Sequence, residues 1–318
     1  MKNVKNAHYK QIDHKIETII DGAGYIILPI TMAYKQFSFV RDHFENKPEE
    51  GYFVWVKKQG VIPLITNISI CSPNIFQKPR NLIVIENGAK AEMTSICNAG
   101  KMDLAGKHKG HSKIILKENS ELKLNHSHSW GNQDIVSADL EVFSDSGSKF
   151  TYSYRCVKTP KEFSTQNNIY LQKDASANLV FTVLAQNSNV DMHDTTYLNG
   201  KNSKGVSRIR LISNNKGNIT ARSKMIANKA GTGHVDCMGL LLSDNATIHA
   251  IPELINQDKN ASLTHEASVG RISDEVLNYL RTRGLNEDEA INLVVAGFLG
   301  DAEPVVIKGK FVKSELNM

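Results

Sequence analysis

The feature that most constrains the fold is a phrase that returns along the chain: an apolar strand, a short turn rich in Asn, Asp, Ser and Gly, then a second alternating strand. It reads NLIVIENGAKAEM from Asn81, KIILKENSELKLNHS from Lys113, DLEVFSDSGSKFTYS from Asp139 and NIYLQKDASANLVFT from Asn168. Later copies are RLISNNKGNITARS from Arg210, LLLSDNATIHA from Leu240 and LINQDKNASLTHEAS from Leu254. The turns centre near Gly88, Ser120, Gly147, Ser176, Asn202, Gly217, Asn245 and Ala261, in steps of 32, 27, 29, 26, 15, 28 and 16 residues. Most steps agree, and two are about half as long. A β-helix produces this spacing, because each coil adds one or two strands to stacked sheets and a strand returns beside its predecessor after every circuit. Alternation within a strand, as in Lys149-Phe-Thr-Tyr-Ser-Tyr154, sends one set of side chains into the coil and the other outward. A sandwich or barrel of many short strands is the rival reading, since strands every roughly 8 to 12 residues also fit the pattern.

The flanks differ from this core. Residues 1–80 read as a short N-terminal α/β region, partly helical from Ile16 to Glu45 and extended from Gly51 to Ile70, with prolines at Ser72-Pro73 and Lys78-Pro79 marking its end. Residues 81–270 form the expected strand-repeat core, and residues 271–318 a helical C-terminal region. Ser273 suits an N-cap ahead of Val276, Leu277 and Leu280, and Gly284 stands where a left-handed residue would close that helix. Asn286 and Glu289 make a capping box before Ile291, Leu293, Val294, Val295 and Phe298, with Gly300 beyond. These two helices are expected to cap the strand array, whose open end would otherwise expose unpaired strand groups, and they also suit the docking of a partner.

Composition removes several function classes. With 38 basic and 33 acidic residues, a net charge of +5 and no run of five like charges, the chain presents a mixed solvated surface and no stripe for nucleic acid or membrane. The first residues lack an apolar stretch with a small-residue cleavage site, and Tyr25-Ile-Ile-Leu-Pro-Ile30 falls far short of the roughly 20 residues that span a bilayer, so a cytoplasmic location is expected. The four cysteines at 71, 97, 156 and 237 form no CxxC pair, which suits a reducing compartment better than a disulfide framework or a zinc ribbon. No GxxxxGK[ST] loop, GxSxG elbow or HExxH helix occurs, and the chain is not expected to be an enzyme.

Candidate ligands concentrate near the C-terminal end of the repeats. His234-Val-Asp-Cys237, with His249 and the pair His265-Glu266, gathers a thiolate donor, imidazoles and a carboxylate on successive turns, and such donors hold iron and iron–sulfur clusters. The competing reading of Cys237 is a small buried hydrophobe, and His265 and Glu266 alternate in direction if they lie on a strand. His126 and His128 share a strand face, but with no third ligand beside them in sequence they read as polar side chains facing solvent, and His108 and His111 as solvated loop residues. Cys97 and Cys156 read as core-filling strand residues, and Cys71 is unassigned.

The stretch HEASVGRISDEVLNYLRTRGLNEDEA from His265 to Ala290, closing with Val295-Ala-Gly-Phe298, resembles the C-terminal signature of the SufB/SufD family. There a His-Glu-Ala or His-Gly-Ala tripeptide leads into a helix, an Arg-Gly-Leu or Arg-Gly-Ile turn and a second helix. The resemblance runs upstream through Cys237-Met-Gly-Leu-Leu-Leu-Ser-Asp244 and Ile251-Pro-Glu-Leu254, and more loosely to about Asn81. It implies a mainly β protein, a right-handed parallel β-helix, that serves as a scaffold for iron–sulfur cluster assembly. It further implies a SufC-like ABC-type ATPase docked on the C-terminal helices, sulfur delivered by a cysteine desulfurase, and pairing through β-helix ends.

Carried over residue by residue, Cys237 matches the SufB cysteine implicated in assembly, and His265 and Glu266 its neighbouring His-Glu pair, as ligands of iron and of a transient iron–sulfur cluster. The chain departs from SufB-like members in carrying Thr264 where they have a further acid, and no cysteine around Thr195 to Leu198. It looks intermediate between SufB-like and SufD-like members, which fits a homodimer with two copies of the three residues across one interface, the alternatives being a paralogous partner or a SufD-like supporting subunit without a cluster. A polysaccharide lyase or hydrolase, the other common use of β-helices, would be expected to be secreted and to line a groove with paired carboxylates.

Overall fold

The computed structural model describes residues 7–20, 24–58 and 63–300. The N-terminal part comprises β1 (Ala7–Ile12), β2 (Lys15–Ile20), β3 (Tyr25–Pro29), α1 (Ile30–Gln36), α2 (Ser38–Arg41), β4 (Tyr52–Val56), β5 (Leu64–Ile70), β6 (Phe76–Gln77) and β7 (Arg80–Ile85). Long strands then follow one another with little else between: β8 (Lys90–Ala99), β9 (Lys107–Leu116), β10 (Glu121–Ser129), β11 (Ile135–Ser144), β12 (Lys149–Lys158), β13 (Glu162–Leu171) and β14 (Ser176–Gln186). β15 (Asn189–Leu198), β16 (Lys204–Asn214), β17 (Asn218–Ala227), β18 (Thr232–Leu241), β19 (Thr247–Asn256) and β20 (Ser262–Arg271) complete the array, before α3 (Asp274–Thr282) and α4 (Glu287–Leu299).

From β7 onward the strands alternate between two parallel sheets, ordered β5-β8-β10-β12-β14-β16-β18-β20 and β7-β9-β11-β13-β15-β17-β19 with the short β6 also against β9, which is a parallel β-solenoid. Register advances by one circuit per coil: Glu121 pairs with Lys149, Lys149 with Ser176, Ser176 with Lys204 and Lys204 with Thr232. The half-length steps of the repeat arise because Asn202 and Gly217, like Asn245 and Ala261, turn opposite corners of one coil. At one corner Gly88, Asn119, Gly147, Asp174 and Asn202 all hold a left-handed backbone with φ between 56° and 70°. Each donates its N–H to a carbonyl of the next coil, at 2.6–2.9 Å. Asn, Asp and Gly occupy the corner because they tolerate that conformation at least cost.

The sheets extend N-terminal of residue 81, since β1 joins β5 and β4 joins β7 in parallel, while the antiparallel β2 and β3 close the two sheet edges at this end. Inward side chains fill the coil, with Trp130, Phe150 and Phe181 among the largest fully buried. Each such side chain contributes about 1.5–3 kcal/mol by leaving water. Outside, α1 and α2 cover one sheet through Ile30, Ala33 and Val40 against Phe53, Leu82 and Val84.

The C-terminal helices form as expected. Ser273 accepts from the Val276 N–H, Asn286 and Glu289 complete a capping box at 2.8 and 3.0 Å, and Gly284 and Gly300 take left-handed backbones. α4 lies on the outer face of the other sheet, where Val295 and Leu299 pack with Leu184, Ile212 and Leu240. β19 and β20, the last strand of each sheet, stay largely exposed. Replacing Asn286→Ala should cost about 1 kcal/mol of α4 stability, read as faster amide hydrogen exchange confined to residues 287–291.

Candidate functional site

Cys237 sits mid-strand on β18, where Gly233, Val235, Cys237 and Gly239 face the coil interior and His234, Asp236 and Met238 face out. Its side chain joins the main core and is 1% exposed. Burial pushes the thiol up to about 11, the Asp236 carboxylate adds to this, and the Arg210 guanidinium opposes it. Arg210 clamps Asp236 through Nη1–Oδ1 at 3.0 Å and Nη2–Oδ2 at 2.6 Å, so the residue beside Cys237 is fixed from the outer face.

β20 runs parallel against β18 with Val235 beside His265, Asp236 beside Glu266 and Cys237 beside Ala267. His265 therefore shares the face of Cys237, displaced by two residues, whereas Glu266 points to the opposite face. Both are exposed, and among the described residues no strand pairs with β20 on its far side. Strand alternation thus brings Cys237 and His265 to one face and does not bring Glu266 to them within a single chain. His234 faces out and meets Thr264 at 2.8 Å, and His249 is exposed on the outer side of the other sheet. Toward the end of the array, the register partner of Cys237 is Ala267.

The model of the SufBD core domain of the SUF system for iron–sulfur cluster assembly matches residues 68–298. The chain belongs to this family. An "Iron-sulfur cluster assembly SufBD family protein" of Archaeoglobus fulgidus is 29% identical over 317 residues, covering 94% of this chain and 85% of that protein. A second, from Methanocaldococcus jannaschii, is 27% identical over 270 residues, covering 81% and 84%. A third, from Methanothermobacter thermautotrophicus, is 28% identical over 254 residues, and there the chain spans 62% of the relative's length. The SufBD family takes part in iron–sulfur cluster assembly, and among the described residues of this member no helix is long and apolar enough to cross a membrane.

Several interior groups of this SufBD member escape a reading of the sequence. His126 and His128 point into the coil rather than to solvent, and the third ligand type missing from their neighbourhood in sequence is Cys97, one coil earlier. His108 and His111 lie on β9 rather than in a loop, and His108 is 3% exposed. Burial pushes His108 down to about 3 and His126 down to about 4. Cys97 and Cys156 fill the core as expected, and Cys71 is exposed. Asp194 is a buried carboxyl on the opposite wall from Cys237, pushed up to about 7 by burial against one hydrogen bond from Asn167.

Proposed function

We propose that this SufBD member is a scaffold subunit on which iron–sulfur clusters are assembled as cargo, and that it acts as a platform rather than as an enzyme. The observation that carries the reading is the place of Cys237: a thiol one strand inside an exposed terminal strand that bears His265 and Glu266. A cluster seated beyond the β20 edge is reached by His265 and Glu266 from either face of that strand, and Cys237 supplies the thiolate once β20 yields. Thiolate with imidazole or carboxylate suits a cluster that must later be released.

The open strand ends offer the surface for a second copy or a paralogue, with Ile251 and Val269 exposed at 45% and 42%. A SufC-like ATPase docks on α3 and α4, where Val276, Tyr279 and Leu293 are exposed. Movement of α4 acts directly on β18, because Val295 and Leu299 pack with Leu240, three residues beyond Cys237. Nucleotide binding by the ATPase then biases access to the thiol. A cysteine desulfurase supplies the sulfur, and the four free cysteines suit a reducing cytoplasm.

Anaerobic reconstitution with ferrous iron and sulfide tests this, with visible absorption and Mössbauer spectra of wild type, Cys237→Ala and His265→Ala. Wild type is expected to acquire a cluster that both variants lose. A colourless wild type, or variants that match it, would make Cys237 structural and assign the chain the supporting, SufD-like role.

A further inference from the structure

We propose that the interior of the solenoid between β8 and β10 holds a single divalent transition-metal ion of the zinc or ferrous class, bound by Cys97 Sγ and by ring nitrogens of His126 and His128. The site is separate from Cys237 and independent of the scaffold reading. Register places His128 directly beside Cys97, and His126 follows on the same inward face. Cys97 Sγ lies 3.8 Å from His126 Nε2, His126 Nε2 lies 3.0 Å from His128 Nε2, and donor atoms of the three residues all fall within 4.8 Å of one another. A tetrahedral ion with ordinary Zn–N and Zn–S bonds separates two nitrogens by about 3.3 Å and nitrogen from sulfur by about 3.6 Å. The two printed contacts bracket these values, and the third pair, Cys97 and His128, lies within 4.8 Å.

The surroundings are those of a built site. A cavity of about 30 Å³ adjoins all three residues, room for an ion but not for a multinuclear cluster. The Tyr152 hydroxyl meets His126 Nδ1 at 3.1 Å and sets the ring so that Nε2 faces its neighbours, the arrangement that orients metal-bound imidazoles. His128 Nδ1 and, on the cavity wall, Thr165 Oγ1 are buried without a hydrogen-bond partner among the described residues. Buried polar atoms are nearly always paired, so two orphans beside one cavity point to a missing polar occupant.

His108 lines the same cavity without belonging to the three-donor group. Its Nδ1 donates to Gln77 Oε1 at 3.1 Å, which leaves Nε2 without a proton. That Nε2 lies beside Gly110, where an added Cβ would come within 2.9 Å of it. The missing side chain keeps the space open. Burial keeps the imidazoles neutral, and an entering ion displaces the Cys97 proton to solvent.

The test uses the full chain on a Cys237→Ser background, so that any thiolate–metal signal arises elsewhere than at the proposed scaffold cysteine. Protein produced in defined medium with added Co²⁺ is analysed for cobalt content and visible absorption. About one cobalt per chain is expected, with thiolate-to-cobalt charge transfer and tetrahedral bands that disappear on adding Cys97→Ser and persist on adding Cys156→Ser. Should Cys97→Ser not fold, Gly110→Ala, which fills the cavity without replacing a proposed ligand, is expected to abolish the same bands. Folded protein without cobalt, bands that survive Cys97→Ser or Gly110→Ala, or bands lost with Cys156→Ser would overturn the assignment.

Discussion

Gly200→Ala is expected to destabilise the protein by about 3 kcal/mol, the upper part of the range for overpacking a rigid site. Gly200 turns the corner between β15 and β16, and its N–H reaches Leu171 O on the preceding coil at 3.0 Å. A Cβ there would stand 1.9 Å from Lys173 N and 2.2 Å from Gln172 C. Those atoms belong to the backbone of the coil below, so no flexible side chain can swing away, and relief requires two hydrogen-bonded coils to part. For a chain of this size the loss corresponds to a fall of roughly 4–5 °C in Tm. Gly270→Ala is the control: nothing lies within 4 Å of its added Cβ, and a surface change of that kind stays within about 0.5 kcal/mol. Thermal melts of the two variants followed by circular dichroism decide the matter, and equal Tm values would show that the corner is not close-packed.

Asp194→Asn should stabilise the protein, and increasingly so as the pH rises. In the folded chain burial raises this carboxyl from 3.8 to about 7, with the Asn167 hydrogen bond opposing, and Oδ2 finds no partner. Between those two values the folded protein keeps a proton that the unfolded chain releases, so stability falls as pH increases and levels off above about 7. The stabilising protonated form is fully present below the unfolded value of 3.8 and lost through the folded value of about 7. The gap amounts to about 4 kcal/mol. The variant keeps the acceptor for Asn167 and never ionises. Urea unfolding at pH 5 and pH 8 is therefore expected to show its advantage growing by roughly 2–3 kcal/mol across that interval. An advantage that is constant from pH 5 to pH 8 would mean that Asp194 keeps an ordinary acidity in the fold.

The architecture was legible because its signals are local and repeat. Corner residues such as Gly88, Gly147 and Asn202 announce themselves by backbone tolerance, and the helix caps at Ser273, Asn286 and Gly300 are each written within four residues. Where α4 docks was not legible, since Leu184, Ile212 and Leu240 meet it only through the fold. The interior ligands hid for the same reason. Cys97 and His128 look unrelated until copies are aligned on the left-handed corner: each stands nine residues after one, Gly88 and Asn119, as does Cys156 after Gly147. That alignment would have stacked the thiol on the imidazole. Asp194 carries no such mark, because a carboxylate on an alternating strand reads as solvent-facing unless its parity is counted. At Cys237, the family signature singled out residues of two strands that lie side by side, while the opposed directions of His265 and Glu266 follow from parity alone.

The exposed last strand has a further consequence for Cys237. In a solenoid each coil is held by its neighbours only, so opening proceeds from the free end and its cost rises with every layer crossed. Among the described residues, Cys237 is covered by one layer, and that layer is the outermost. Its protection from oxidants therefore reports the fraying of a single rung rather than the stability of the whole molecule, and anything that seats on β20 lengthens the life of the thiol.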